Sequence, residues 1–257
     1  MKTDLSVIIV AGNEEDSIVD CLKSVNFAKE IILVQNQATT DKTISLAKKT
    51  RPDIILINAR SKEIDFSLWH NTGAKAATQP WQLHLDCDER VNLELKEEII
   101  ATINSPGKYT NFDLPRANHF LGHRVKHGGT YPDYVKRLYQ TKSLISYSGT
   151  VHEQPKIIGP SSALKNDLLH YTHKDLTSML QKSIKWTDIE ARLLHESGHP
   201  PVVWWRFIRM MLTKFWERFV QQQMWRDGTV GWISVIFETF NTFMIYARLW
   251  ELQQQKA

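Results

Sequence analysis

Three carboxylates fall within four residues at Asp86-Cys87-Asp88-Glu89, directly behind the apolar run Trp81-Gln82-Leu83-His84-Leu85. Two acids one residue apart can bring hard oxygen donors to a single Mg²⁺ or Mn²⁺, and such an ion usually completes its shell with substrate phosphates. The same pair is at home on a solvated surface turn, so its setting has to decide. An apolar run of strand length that stops at the acids is the pattern of a buried strand whose C-terminal end opens on a crevice, where open α/β sheets bind ligands. A second polar series, His119, His123 and His127, has the four-residue spacing of metal ligands on a helix. Gly122, Gly128 and Gly129 speak against a helix there, and a zinc site is not expected.

The acidic strand is the fourth in a series. Apolar runs at Leu5 to Val10, Ile31 to Val34, Ile54 to Ile57 and Trp81 to Leu85 alternate with helical patterns, the signature of βαβ units and a mostly parallel sheet. Asn13 has the side chain of an N-cap, Glu14, Glu15 and Asp16 suit the positive end of a helix, and Ile18, Leu22 and Val25 share a face. A helix from Glu14 to Val25 is predicted. Thr39-Thr40-Asp41 opens a second helix before Ile44 and Ala47, and Leu93 to Asn104 forms a third. From Lys108 to Pro160, short strand-like pieces are broken by Pro115, Gly122, Gly128-Gly129, Pro132 and Gly149, the loop-rich kind of segment in which binding groups concentrate.

A long helix is predicted from Asp175 to Glu196, stopped by Gly198-His199-Pro200-Pro201, which reads as a hinge. Beyond it, Trp204, Trp205, Ile208, Met211, Leu212, Phe215, Trp216 and Phe219 fall within one arc of about 140° at 100° per residue. Arg206, Arg209, Lys214, Glu217 and Arg218 fill the opposite side, and Phe207 and Met210 break the pattern. Such a helix either lies in a membrane interface, apolar face down with basic residues near lipid phosphates, or docks on its own domain. Val230 to Tyr246 is apolar but contains Ser234, Glu238, Asn241 and Thr242, and is expected to pair with its predecessor rather than to cross a membrane.

A chain of 257 residues with 42% hydrophobic and 23% charged residues is ordinary for a folded protein and can bury a large core. Cys21 and Cys87 have no CxxC partner, which argues against a disulfide framework or zinc ribbon and for a reducing compartment. The apolar run behind Met1-Lys2-Thr3-Asp4 is too short for a signal-peptide core, so a cytoplasmic protein is expected. The net charge of +4 is unevenly placed: residues 108 to 142 hold seven Lys/Arg against two Asp/Glu, and residues 201 to 257 hold seven against four. An acidic metal-binding part beside a basic middle and tail suits phosphate-bearing ligands and an anionic membrane surface. No nucleic-acid-binding motif accompanies the charge, and nucleic acid is not expected as a partner.

Taken in order, Leu5 to Val10 followed by Ala11-Gly12-Asn13-Glu14-Glu15, the Thr40-Asp41-Lys42-Thr43 turn, Asn71, and Leu85-Asp86-Cys87-Asp88-Glu89-Arg90 resemble a family 2 glycosyltransferase. Further on, His127-Gly128-Gly129-Thr130-Tyr131-Pro132-Asp133-Tyr134, Lys136-Arg137-Leu138-Tyr139, Val151-His152-Glu153 and Arg226-Asp227-Gly228 resemble the branch that holds the lipopolysaccharide inner-core β-glucosyltransferases. The resemblance implies an α/β GT-A fold, a mixed, mainly parallel Rossmann-like sheet flanked by helices with a C-terminal helical extension. It suggests a catalytic domain over 1–175 and a helical region over 176–257.

Implied with it is a metal-dependent, inverting transfer of a sugar from a nucleotide-diphosphate donor, UDP-sugar above others, to a lipopolysaccharide-core or other lipid-linked acceptor at the cytoplasmic membrane face. Asp88 would hold Mg²⁺ or Mn²⁺, and Asp86 would face the nucleotide ribose or share the ion. Glu14, Asn36, Asp41, Asn71 and Lys75 would line the nucleotide pocket. Inversion needs a base for the acceptor hydroxyl, and Glu153, distant in sequence from the metal acids, is the candidate. His152 would orient Glu153 or contact the acceptor, and Lys136 and Arg137 would hold the diphosphate or acceptor phosphates. Read without the resemblance, Glu14 and Asp41 are helix-end acids, Glu153 a surface acid, and Lys136 and Arg137 a solvated edge-strand pair.

The chain departs from the family pattern in three places. Val10-Ala11-Gly12 stands where Pro-Thr-Tyr is usual, Gln35-Asn36-Gln37 where an acid usually meets the base, and Cys87 where a small residue is usual. An amide can still pair with a base edge, and a side chain between two acids on an extended segment points away from them. Two other readings remain: a non-catalytic sugar-nucleotide-binding protein on the membrane, and a sugar-phosphate nucleotidyltransferase. The latter would need a glycine-rich phosphate loop, of which only Ala11-Gly12-Asn13 is present.

Overall fold

A computed structural model describes residues 2–36, 39–59, 65–149 and 153–255. The chain divides into two compact units, one of residues 1–116 and 134–170, the other of 117–133 and 171–257. Segment 117–133 thus groups with the C-terminal helices.

In the first unit the four apolar runs become strands β1 (Thr3–Ala11), β2 (Ala28–Asn36), β3 (Ile55–Ala59) and β4 (Trp81–Asp86). They pair in parallel in the order β3-β2-β1-β4. The sheet is mixed, as expected, because β8 (Asp133–Gln140) joins β4 antiparallel. Its order then continues through β6 (Asn111–Phe120) and β12 (Leu168–His173) to β5 (Glu89–Val91). Strands β6 and β12 contribute residues to both units. A separate antiparallel pair, β9 (Leu144–Ser148) with β10 (Gln154–Ile157), follows β8 in the chain. Minor strands β7 (His123–Arg124) and β11 (Ser161–Ala163) both pair with β6.

Strand β1 is buried from Leu5 to Ala11, as a strand covered on both faces must be. Its alternate side chains enter different cores. Leu5, Val7 and Ile9 join Ile18, Cys21 and Leu22 of α1 (Ile18–Ser24) and Leu95 and Ile99 of α4 (Leu93–Asn104). Ile8 and Val10 join Ile32, Val34 and Trp69 of α3 (Phe66–Ala76) on the other side.

Helix α4 has the bounds read from the sequence, with the Asn92 side chain accepting from Leu95 N at 2.8 Å. Helix α2 (Thr43–Thr50) follows Thr39-Thr40-Asp41 as expected, and the Asp41 carboxylate accepts from Thr43 N at 3.0 Å. The first helix is shorter than predicted. It begins at Ile18, because Asn13 is not its cap: Asn13 Oδ1 accepts from Thr40 N at 2.8 Å and so ties the loop after β1 to the loop after β2. Glu15 takes part in the same lacing, its N–H on Asp41 Oδ2 at 3.0 Å and its carboxylate on Lys42 N at 3.1 Å.

Helix α3 has no counterpart among the predicted helices. Asp65 caps it, accepting from Leu68 N at 2.9 Å, and it buries Trp69, His70 and Gly73. The signal was an Asp before an apolar face at Phe66, Trp69, His70 and Gly73, shortened by the histidine and the glycine. Gly73 is there for space: a Cβ would stand 2.4 Å from Ile8 Cγ2 and 2.9 Å from Val34 Cγ2.

In the second unit α5 (Leu176–Glu196) carries an Asp175/Ser178 capping box and ends where expected. The 198–201 turn is fastened to α7 (Gly228–Gln254), whose Gln253 accepts from Val202 N at 2.9 Å and donates to His199 O at 3.1 Å. Helix α6 (Trp204–Phe215) passes into a π-type turn over Trp216–Gln221 and a 3₁₀ turn over Met224–Asp227. It packs on α5 and α7 through Phe207 and Met210, which join Ala191, Val202, Tyr246 and Leu249. These are the two residues that broke the apolar arc. The arc itself is divided: Phe215 and Phe219 pack against the cluster around Met224 and Val235, whereas Trp204 is 74% exposed, Leu212 64% and Trp216 58%. The segment Met224–Gln254 is long and apolar enough to cross a membrane, yet its Glu238 pairs with Arg218 at 2.6 Å and its Arg248 with Asp188 at 3.0 Å.

Gly73→Ala is expected to destabilise the protein by about 1–3 kcal/mol, as overpacking of a filled core does, despite alanine's better helix propensity. A denaturation midpoint equal to or above the parent's would contradict this packing.

Candidate active site

The register of β1 with β4 puts Val10 beside Asp86, and that of β1 with β2 puts Ala11 beside Gln35. Asp86, the Gly12-Asn13-Glu14 loop and Asn36 therefore share one edge, at the C-terminal ends of adjacent parallel strands. This edge is where such sheets bind ligands.

The three acids have three different settings. Glu89 is fully buried. Its carboxylate accepts from Asp86 N at 3.0 Å, from Arg137 Nη2 at 2.9 Å and from Arg116 Nη1 at 3.4 Å. Asp86 is half-buried and bonded by the same Arg137 Nη2. Burial pushes the Asp86 carboxyl up, but Arg137, with a smaller contribution from His70, outweighs this and holds it below the ordinary carboxylate value. Conversely, burial works against the Arg137 charge and Asp86 and Glu89 more than restore it. The depressed Asp86 value means that this pair stabilises the fold at neutral pH, and that the contribution is lost as pH falls below the ordinary Asp value of 3.8.

Asp88 is turned the other way. Its carboxylate is 18% exposed, and His170 Nε2 lies 3.5 Å from Oδ1. The antiparallel pairing of β12 with β5, His170 opposite Glu89, brings the histidine there. No spacing in the sequence points to that encounter. Among the described residues no three His, Cys, Asp or Glu side chains converge as a metal-ligand set. A carboxylate oxygen and an imidazole nitrogen side by side nevertheless suit an ion such as Mn²⁺, which takes both donor types and leaves other positions to phosphate oxygens.

Cys87 points away from both acids, as expected, with its thiol buried against Val10 O at 3.4 Å. Both cysteines are free. Burial pushes the Cys21 thiol up to about 12, so it is inert at neutral pH. Arg90 closes the turn by donating to Cys87 O at 2.5 Å and Ser17 O at 2.7 Å.

The remaining predicted residues are not all at this edge. Glu14 lies in the loop after β1, its N–H on Thr43 Oγ1 at 2.7 Å. Asp41 stands in the facing loop, where burial raises its carboxyl but the hydrogen bonds from Thr43 and Glu15 together outweigh this and hold it below the ordinary value. The side chain of Asn36 and the whole of His152 lie outside the described residues. Lys75, expected at the nucleotide, is exposed in the last turn of α3, next to Ala74, whose O accepts from Gln82 near the start of β4, and so lies toward the opposite end of the sheet from Asp86; Lys136 is exposed on β8. Arg137, expected at phosphates or in a solvated pair with Lys136, is buried and its guanidinium bonded to the two acids. Asn71, assigned by resemblance to the nucleotide, has both amide atoms on the main chain of Tyr147, donating to its O at 2.9 Å and accepting from its N at 2.7 Å.

Glu153 is 19% exposed and stands 3.9 Å from Nε2 of His70. His70 and His84 are buried and were not singled out by sequence, where each reads as one polar residue in an apolar segment. In the second unit, two motifs that carry the branch resemblance meet. The Asp227 carboxylate accepts from Lys126 N at 2.9 Å and His127 N at 2.8 Å, with His127 Nδ1 2.8 Å away as well. His127 is thus committed to an acid, and His119 stacks on Tyr171.

The mixed, mainly parallel sheet with flanking helices and an antiparallel extension is the GT-A fold. The model of glycosyl transferase family 2 matches residues 6–156, and the chain belongs to that family. It is 24% identical to the lipopolysaccharide core biosynthesis glycosyltransferase LpsC of Rhizobium meliloti, over 100% of this chain and 95% of the relative. It is 22% identical to an uncharacterized glycosyltransferase of Rickettsia typhi, over 96% of this chain and 87% of the relative. Among solved structures, S. aureus TarS 1-349 in complex with UDP superposes with a TM-score of 0.50 at 14% identity, over 100% of this chain and 92% of that one.

Arg137→Met is expected to cost about 3–5 kcal/mol at neutral pH, since it strands buried carboxylates, and adding Glu89→Gln should recover part of the loss. A denaturant midpoint unchanged by Arg137→Met would refute the role of the guanidinium.

Proposed function

We propose that the protein is an inverting, metal-assisted glycosyltransferase that moves a hexose or related sugar from a UDP-sugar to a lipopolysaccharide-core or other lipid-linked acceptor. The observation that carries the reading is the division of labour among the acids: Asp88 beside His170 at the sheet edge, Asp86 fixed by Arg137. The name of the LpsC relative supports the acceptor class, and the UDP bound to TarS supports the donor.

Asp88 and His170 would hold Mg²⁺ or Mn²⁺, which when bound supplies positive charge for the departing diphosphate. Asp86, ionised at neutral pH and fixed by Arg137, is suited to the ribose hydroxyls. Glu14, Asn36 and Asp41 are the nearby candidates for the remainder of the nucleotide, and Lys136 for acceptor phosphates. Glu153 takes the proton of the acceptor hydroxyl. The oxygen forms its bond to the anomeric carbon from the face opposite the breaking C–O bond, and the nucleoside diphosphate leaves with that electron pair. Inversion follows from the opposed directions of entry and departure.

The exposed row Trp204, Ile208, Leu212 and Trp216, spaced by four, supports work at a membrane surface. Apolar patches of this kind mark interaction sites, and Trp beside Arg206 and Arg209 suits the headgroup region of an anionic bilayer. The cytoplasmic face of the membrane is the matching location.

With folded protein, Asp88→Asn and Glu153→Gln are each expected to lower turnover by a factor on the order of 10²–10⁴; near-normal transfer by either variant removes its assigned role. Full-length protein carrying Trp204→Ser, Leu212→Ser and Trp216→Ser is expected to lose co-sedimentation with anionic phospholipid vesicles. Undiminished binding by that variant would sink the membrane reading and leave the transfer chemistry intact.

A further inference from the structure

A buried imidazole beside Glu153 is oriented by a hydrogen-bond chain whose direction can be read from its far end. Gln82 donates from Nε2 to Ala74 O at 3.1 Å and presents Oε1 to His84 Nε2 at 3.1 Å. An amide oxygen only accepts, so His84 Nε2 carries hydrogen. Burial drives the His84 pKa well below its ordinary value, and a neutral ring with hydrogen on Nε2 has a bare Nδ1. That atom lies 3.0 Å from His70 Nδ1, which must therefore be the donor. His70 is neutral too, because burial lowers its pKa to about 4 against the opposing pull of Asp86. Its Nε2 then carries only a lone pair.

That nitrogen is buried and, among the described residues, has no hydrogen-bond partner. It faces Glu153 Oε1 at 3.9 Å. The ring cannot turn away: Tyr147 stacks on His70 at 4.6 Å and on His84 at 5.1 Å, Asn71 clamps the Tyr147 main chain, and the Tyr147 hydroxyl meets that of Tyr139 at 2.8 Å. A carboxylate oxygen and a bare nitrogen have no hydrogen to share and stay apart. Once Glu153 is protonated, the same two atoms are donor and acceptor, and the gap can close to hydrogen-bond length.

We propose that His70 is the positioning residue of the base: its fixed, unprotonated Nε2 accepts a hydrogen bond from the Glu153 carboxyl formed when Glu153 takes the acceptor hydroxyl's proton. The proton stays on Glu153, and no further group is oxidised, reduced or consumed. The effect is to raise the basicity of Glu153, since a hydrogen bond to the protonated form favours that form. Asp86, Arg137, His84 and Tyr147 are the charged or titratable groups around this pair. The inference rests on the assignment of Glu153 as base, and the two can fail separately.

The test is the pH profile of kcat/KM for sugar transfer in the full-length protein and its His70→Phe variant, which keeps an aromatic ring against Tyr147 but has no acceptor nitrogen. Loss of the acceptor lowers the Glu153 pKa, so the acid limb should move to lower pH by about half a unit or more. Turnover should fall by about tenfold, with the donor KM within about twofold of the parent. An unmoved limb overturns the proposal, because a merely structural loss lowers the curve without shifting it. Should His70→Phe not fold, the ¹⁵N spectrum of the parent's His70 decides: hydrogen on Nδ1 at neutral pH is expected, and hydrogen on Nε2 overturns the proposal. Normal turnover by Glu153→Gln would remove the base itself, whereas an inactive Glu153→Gln with an unmoved limb in His70→Phe removes only His70.

Discussion

A guanidinium taken out of water is tolerable only when acids meet it with good geometry, and Arg137 meets two, Asp86 and Glu89. This shared cation is the constraint on which the candidate site depends. It joins β8 to the end of β4 and to the turn that follows, while Glu89 also accepts the Asp86 N–H and so closes the turn from inside. With two of the three acids committed to Arg137, Asp88 is the one directed toward His170. One short peptide thereby holds two acids in different settings.

Strand β1 supplies the rigidity behind this arrangement. Its odd-numbered side chains pack under α1 and α4 and its even-numbered ones under α3, so the edge that carries the acids is held from both faces. The α3 side admits polar groups, yet they form a connected chain from Gln82 through His84 to His70, with Tyr147 and Tyr139 beside it. A buried polar network is stable when its members satisfy one another. Among the described residues the end of this chain at His70 Nε2 is the exception, and it faces Glu153.

In the second unit the apolar content of α6 is split between two tasks. Phe207 and Met210 hold the helix to α5 and α7, whereas Trp204, Ile208, Leu212 and Trp216 remain in contact with solvent. The amphipathic period visible in the sequence thus describes a face of which the unit buries only the end, Phe215 and Phe219. The exposed row is the observation that supports the membrane proposal.

Local pattern was enough to fix the parallel strands, the acids at the end of the fourth, and the extents of α4 and α5, because burial on two faces and capping chemistry leave traces within a few residues. The ordered motifs were enough for the family. The start of α1 was not legible, since Asn13 spends its cap-like side chain on a distant loop, and α3 was hidden by a histidine and a glycine that only packing explains. Strand pairing alone put His170 beside Asp88 and Arg137 between Asp86 and Glu89. The sequence by itself determined which side chains were available for chemistry and on which elements they ride. Which of them are buried, paired or turned outward was decided by tertiary structure, because hydrogen-bond and charge partners far apart in the chain are set by the register of strands, and no local spacing encodes that register.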